Sequence, residues 1–220
     1  MEAAVIVFDI CSSTTIVEDL NANGNIDKYE ILVKEIDNFL VLRERQYNFE
    51  KYKFLGDGYI LIAKNPTNAG NLVRFTTELT VFMNHLVQSF LNRHVSQIEL
   101  PRFGITVGID IGQVSPILKG QEYIGRPINL AARLQGSLKD PGTENSLLVS
   151  LRFFNALESE PIRDSFIARQ RTFRNISGDR PIRCFEFKML ESVVKKRSIK
   201  PSKDYTSIYG ELKPYKSIFD

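Results

Sequence analysis

The chain opens on a short, almost unbroken apolar run rich in β-branched residues, Ala3-Ala4-Val5-Ile6-Val7-Phe8-Asp9-Ile10. Such a run suits a strand covered on both faces, and here it ends on a carboxylate. Polar Ser12 to Thr15 follow, then a turn-like Asn21-Ala22-Asn23-Gly24. Ile31, Leu32, Ile36, Phe39 and Leu40 come next, at spacings of three and four that predict a helix. Lys51–Leu55 and Tyr59–Ala63 flank Gly56-Asp57-Gly58, a hairpin pattern whose turn has glycines available for positive φ. From about Asn68 to Arg93 a long helix is expected, with Leu72, Phe75, Leu79, Phe82, Leu86 and Phe90 on its core face. Phe103–Ile109 reads as a strand. The segment 123–134, with Pro127 near its start and Ala131-Ala132 after it, reads as a helix. Ser146–Val149, a short helix near Leu151–Leu157, and strands over Arg171–Ile176 and Ile182–Phe187 complete the body. The order β-α-β-β-α-β predicts an α+β fold, a ferredoxin-like, mostly antiparallel sheet with helices on one face.

A chain of 220 residues fits one domain of ordinary size with an extension. With 43% hydrophobic and 25% charged residues it can bury a proper core, which excludes a disordered or low-complexity class. The net charge of +3 divides unevenly. Residues 188–220 hold 8 Lys/Arg against 4 Asp/Glu, which leaves the body 1–187 at 21 against 22. We therefore expect a folded body over 1–187 and a basic C-terminal extension over 188–220. The charge gives no reason to expect a nucleic-acid partner. Cys11 and Cys184 sit in apolar, strand-like surroundings, no secretory leader is recognisable, and no run of 18 apolar residues occurs, so a cytoplasmic protein without a membrane partner is expected. His85 and His94, nine apart on one helix, lack further ligands at zinc spacing.

Two constellations carry candidate chemistry. Asp9 ends the first strand and Asp57 sits in the turn of the hairpin expected beside it, so two carboxylates could converge on hard divalent cations. An equally open reading makes Asp57 a turn residue and Asp9 a helix cap. Asn129 and Arg133, spaced i, i+4, project from one helix face. An Asn there can hydrogen-bond a ribose oxygen and an Arg can present its planar fork to a phosphoryl group; a solvated helix face is the alternative.

In four blocks the chain resembles a known family. Phe8-Asp9-Ile10 with its Ser/Thr run, Lys53-Phe54-Leu55-Gly56-Asp57-Gly58, Arg102-Phe103-Gly104-Ile105 through Gly112, and Gly125 with Asn129-Leu130-Ala131-Ala132-Arg133-Leu134 are similar, in order, to the motifs of class III nucleotide cyclases. The resemblance implies a head-to-tail homodimer with two equivalent sites at its interface. Asp9, Asp57 and the carbonyl of Ile10 would hold two Mg²⁺ or Mn²⁺ ions, while Asn129 and Arg133 of the other copy orient the ribose and stabilise the transition state. The implied reaction turns a nucleoside triphosphate into a 3′,5′-cyclic nucleotide and pyrophosphate.

Base selection in the family rests on two positions, which fall on Lys53 and on Glu122, seven residues before Asn129. Lys53 matches adenylate cyclases, whereas Glu122 departs from their Asp or Thr; the two could also pair with each other. The segment from Gly112 to Asn129 is shorter than in mammalian-type members. The family's triphosphate-binding lysine falls on Ile176, which leaves Arg174, or else Arg180, as its replacement. A soluble domain with an atypical base pocket resembles the bacterial pyrimidine cyclases of Pycsar antiphage systems, which make cyclic UMP or cyclic CMP for a separate effector protein. An adenylate cyclase and a nucleotide-binding pseudoenzyme are the alternatives. No Gly-Gly-Asp/Glu-Glu-Phe signature of a diguanylate cyclase is present.

Overall fold

The computed structural model describes residues 1–190 except 65, 67, 96–99, 101, 121, 175, 177 and 179. Most of the expected basic extension, 191–220, lies outside the described residues. The elements run β1 (Glu2–Ile10), α1 (Ser13–Ala22), α2 (Tyr29–Tyr47), β2 (Phe49–Phe54), β3 (Gly58–Lys64), α3 (Ala69–His94), β4 (Ile105–Gln113), β5 (Ser115–Ile117), β6 (Glu122–Ile124) and α4 (Arg126–Gly136). β7 (Ser146–Ser150), α5 (Leu151–Asn155), α6 (Glu160–Asp164), β8 (Ile167–Arg171) and β9 (Ile182–Lys188) follow.

Seven strands form one sheet in the order β2-β3-β1-β4-β7-β9-β8. Only β4 and β7 pair parallel; every other neighbour is antiparallel. β1 lies inside the sheet and is covered on both sides, which explains its unbroken apolar run. Ala4, Ile6, Phe8 and Ile10 pack under α1, α2 and α3, in one cluster with Ile16, Leu20, Leu32, Ile36, Phe75 and Met83. Ala3, Val5 and Val7 face the other way and meet Ile60, Ile62 and Ala131 of α4. The helical layer expected on one face is therefore present, and α4 adds partial cover on the opposite face.

Several details differ from the sequence reading. The Ser/Thr stretch after β1, which the pattern assigns to no element, opens α1, held by the buried residues Ser13, Ile16 and Leu20. In α3, Leu72, Phe75, Leu79 and Phe90 are buried as expected, while Phe82 and Leu86 are only partly buried against the core and Met83 and Val87 join it between them. α3 begins where expected, because the Asn68 side chain accepts a hydrogen bond from the Asn71 N–H at 3.1 Å. The strand expected over Arg171–Ile176 lies earlier, at β8, and leaves Arg174 and Ile176 in the connection to β9. The small β5–β6 hairpin and α6 were not foreseen. No helix among the described residues is long and apolar enough to cross a membrane.

Candidate active site

Asp9 and Asp57 meet because of how β3 begins. Asp9 pairs with Gly58 in the β1–β3 register, and a Cβ on Gly58 would lie 1.9 Å from the Phe8 carbonyl oxygen. Only glycine lets β3 run so close to β1, and the residue before it, Asp57, is thereby set beside the end of β1. The Asp57 carboxylate is gripped by the Ser13 hydroxyl on the first turn of α1. Ser12, at positive φ, anchors that turn by donating its hydroxyl to the Arg102 carbonyl at 2.9 Å.

The electrostatics of the pair are those of two carboxylates in a confined space. Burial, then hydrogen bonding to Asp57 and the Asp57 charge, push the Asp9 carboxyl up to about 7; the Ile10 N–H and the Gln135 side chain pull the other way. Asp9 Oδ1 is buried and has no hydrogen-bond partner among the described residues. Tyr29, at the start of α2, stands close enough that burial and the charges of Asp57 and Asp9 raise its phenol. A buried, unpartnered carboxylate oxygen beside a second carboxylate is an arrangement that a hard divalent cation would relieve. No group of three or more His, Cys, Asp or Glu converges among the described residues. Such an ion would complete its shell from carbonyls, water and substrate oxygens, as Mg²⁺ commonly does. Ile10 is suitably placed, since the β1–β3 ladder ends at Asp9.

Asn129 and Arg133 are exposed on the outer side of α4, and neither side chain has a polar partner among the described residues. Their helix is seated by Leu130 and Leu134 on one flank, packed with Leu138, Leu148 and Cys184, and by Ala131 on the other. The spacing seen in the sequence thus yields a polar pair facing outward from a well-anchored helix.

Lys53 and Glu122 do not pair with each other. β2 carries a bulge, where Lys51 pairs with Leu61 but Lys53 with the adjacent Ile60, so Tyr52 is the extra residue. Its hydroxyl donates to the Glu122 carboxylate and accepts from the Tyr123 N–H at 3.1 Å, while its ring meets Tyr123 edge-on at 5.3 Å. Lys53 is left exposed on the same strand. Arg174 is exposed in the β8–β9 connection, not on a strand edge. Of the residues forming this site, Ser13, Tyr29, Tyr52 and Gln135 were missed. Ser13 lay in the noted Ser/Thr run and Tyr52 beside Lys53, yet neither hydroxyl's partner is encoded in local pattern.

Beneath the first turn of α4, Asp110 is fully buried, and neither of its carboxylate oxygens has a hydrogen-bond partner among the described residues. Arg126 approaches it to 3.7 Å, but burial still pushes its carboxyl above the ordinary range.

The model of the adenylate and guanylate cyclase catalytic domain matches residues 1–188. The chain belongs to this family. Solved structures agree at the level of fold. The adenylyl cyclase CyaB from P. aeruginosa is 20% identical with a TM-score of 0.60, over 90% of this chain and 97% of that one. A bacterial light-regulated adenylyl cyclase is 18% identical with a TM-score of 0.60, over 84% of this chain; the cyclase domain described here spans only 51% of that longer protein. The guanylyl cyclase domain of the RhoGC fusion protein from the aquatic fungus Blastocladiella emersonii is 16% identical with a TM-score of 0.51, over 84% of this chain and 93% of that one. No curated protein sequence matches this cyclase domain.

Proposed function

We propose that this cyclase domain converts a pyrimidine nucleoside triphosphate, UTP or CTP, into its 3′,5′-cyclic monophosphate and pyrophosphate, at two sites shared between the copies of a homodimer. The observation that carries the cyclase reading is the Asp9–Asp57 pair with its buried unpartnered oxygen, on a fold whose α4 turns Asn129 and Arg133 outward. In the reaction the ribose 3′-oxygen bonds to the α-phosphorus, the bond from that phosphorus to the bridging oxygen breaks, and pyrophosphate leaves while the hydroxyl proton passes to solvent. Asp9, Asp57 and the Ile10 carbonyl hold Mg²⁺ or Mn²⁺, which when bound neutralises the triphosphate and acidifies the 3′-hydroxyl. Ser13 fixes one Asp57 oxygen and so keeps that carboxylate turned toward Asp9. From the second copy, Asn129 orients the ribose and Arg133 meets the charge that builds between α-phosphate and leaving group. Arg174, on its exposed connection, reaches for the triphosphate.

Pyrimidine preference is supported by the Tyr52–Glu122 contact. The carboxylate at the base-selecting position is already engaged by a bulged tyrosine whose ring packs on Tyr123, and two aromatic rings at that position would leave room for a single-ring base more readily than for a purine. Lys53 remains free to meet a base carbonyl. The product would act as a cytoplasmic signal, read by a separate effector protein in antiphage defence. Incubating the pure protein with each of UTP, CTP, ATP and GTP and Mn²⁺ tests the reading. Cyclic UMP or cyclic CMP is the expected dominant product. Cyclic AMP would replace the pyrimidine reading with an adenylate cyclase, and triphosphate binding without any cyclic product would make the chain a nucleotide-binding pseudoenzyme.

A further inference from the structure

Helix α4 turns two unlike faces to its surroundings. Asn129 and Arg133 point outward, whereas Gln135, two residues beyond Arg133 and so about 200° around the helix, points into the sheet. There its Nε2 donates to Thr106 Oγ1 at 2.9 Å. Thr106 is buried on β4 and is the register partner of Asp9 across the β1–β4 ladder. The approach is close because β4 carries Gly108 beneath the helix. A Cβ there would lie 2.2 Å from the Ala131 carbonyl oxygen and 2.5 Å from the Gln135 nitrogen. The half-buried Gln135 amide is thereby brought beside the Asp9 carboxylate, whose charged form it favours.

We propose that Gln135 is a positioning residue for the metal carboxylate: anchored by Thr106, its amide holds Asp9 in the orientation that accepts a divalent cation. The inference rests on the reading of Asp9 and Asp57 as the metal pair. It adds a link that the residue roles alone do not contain. The helix that offers Asn129 and Arg133 to the neighbouring copy's site is fastened through Gln135 to the metal carboxylate of its own copy, so the two half-sites of one chain are tied by a single side chain.

The test is Mn²⁺ binding to the full chain without nucleotide, read by electron paramagnetic resonance, so that turnover is not needed. Gln135→Met keeps the packing volume and removes the amide; Thr106→Val removes the anchor. Gln135→Met is expected to weaken Mn²⁺ binding about tenfold, in the manner of an outer-sphere partner of a metal ligand, with thermal stability and dimer content kept. Thr106→Val should weaken it less, and the double variant should bind no worse than Gln135→Met, because the threonine acts through the glutamine. Mn²⁺ binding by Gln135→Met within twofold of wild type overturns the proposal. So does full additivity in the double variant, which would leave Thr106 and Gln135 acting separately. Should Gln135→Met fail to fold, Thr106→Val decides alone, and unchanged Mn²⁺ affinity in it overturns the proposal. Asp57→Ala serves as the reference. If it binds Mn²⁺ like wild type, the metal reading itself has failed and the Gln135 proposal falls with it; if it abolishes binding while Gln135→Met does not weaken it, only the Gln135 proposal falls.

Discussion

Two carboxylates on the α4 face of the sheet, Asp9 and Asp110, are both pushed toward protonation by burial, but for opposite uses. Asp9 faces a second carboxylate and can be relieved by a cation. Asp110 faces Arg126 at 3.7 Å, and Ser150, the Ile111 N–H and Arg152 also favour its charged form, but together they do not offset its burial. Because the folded state raises the Asp110 pKa above its unfolded value, the fold binds more protons than the unfolded chain in the window just above the ordinary carboxylate range. Its ionisation therefore lowers stability as pH rises through that window. Asp110→Asn removes this cost. Its melting temperature should exceed that of wild type at pH 8, by an amount equivalent to about 1 kcal/mol, and the gain should shrink as pH falls toward 4. An equal shift at both pH values would contradict ionisation as the cause. Arg133 calls for a different measurement. An arginine acting mainly on the transition state should lower kcat on Arg133→Ala by about 2.7–4 kcal/mol, roughly a hundred- to thousandfold, with KM little changed. A rise in KM at constant kcat would instead make it a ground-state binding residue.

Elements were legible where one periodicity ran long. The apolar run of β1, the Gly56-Asp57-Gly58 hairpin, α3 and α4 all stand within a few residues of the pattern that predicts them. α1 was obscured because its cap region is Ser12–Thr15, residues that compete for turns, and only Ile16 and Leu20 among its apolar residues reach the core. β8 was placed too late because Phe173 and Ile176 read as strand residues, whereas they pack in the connection as a satellite of the α4 cluster. At the site, the positions of Asp9, Asp57, Asn129 and Arg133 were legible because they sit at element ends and at helical spacing. Tyr52 was not, since a bulge changes which way a side chain points without changing the alternation around it. Gln135 was not legible either, because its hydrogen-bond partner, Thr106, lies far off in sequence. The tight β1–β3 contact gives a prediction at this scale. Gly58→Ala puts a methyl against the Phe8 carbonyl, so it should destabilise the fold by at least about 2 kcal/mol in urea unfolding and separate Asp57 from Asp9. Unchanged stability would mean that β3 does not depend on that approach.

At the scale of the whole molecule, one chain holds a carboxylate pair, Asp9 and Asp57, where β1 ends and β3 begins, and the polar pair Asn129 and Arg133 on the outward face of α4. The family to which the chain belongs, and the exposure of Asn129 and Arg133 without partners among the described residues of their own copy, fit a reaction completed only when a second copy docks. The +3 net charge belongs to residues 188–220; the cyclase body is close to neutral. Under the proposed function, attraction for the triphosphate would come from local groups, bound cations and Arg133 above all, and not from a broad basic surface. Mixing Asp57→Ala with Arg133→Ala tests this arrangement most directly. Each variant alone should form no cyclic nucleotide above background. Their mixture should regain product at up to one working site per heterodimer, because one chain still supplies Asp9 and Asp57 and the other Asn129 and Arg133. A mixture as inactive as its components, under conditions where the subunits exchange, would contradict a site shared between two copies.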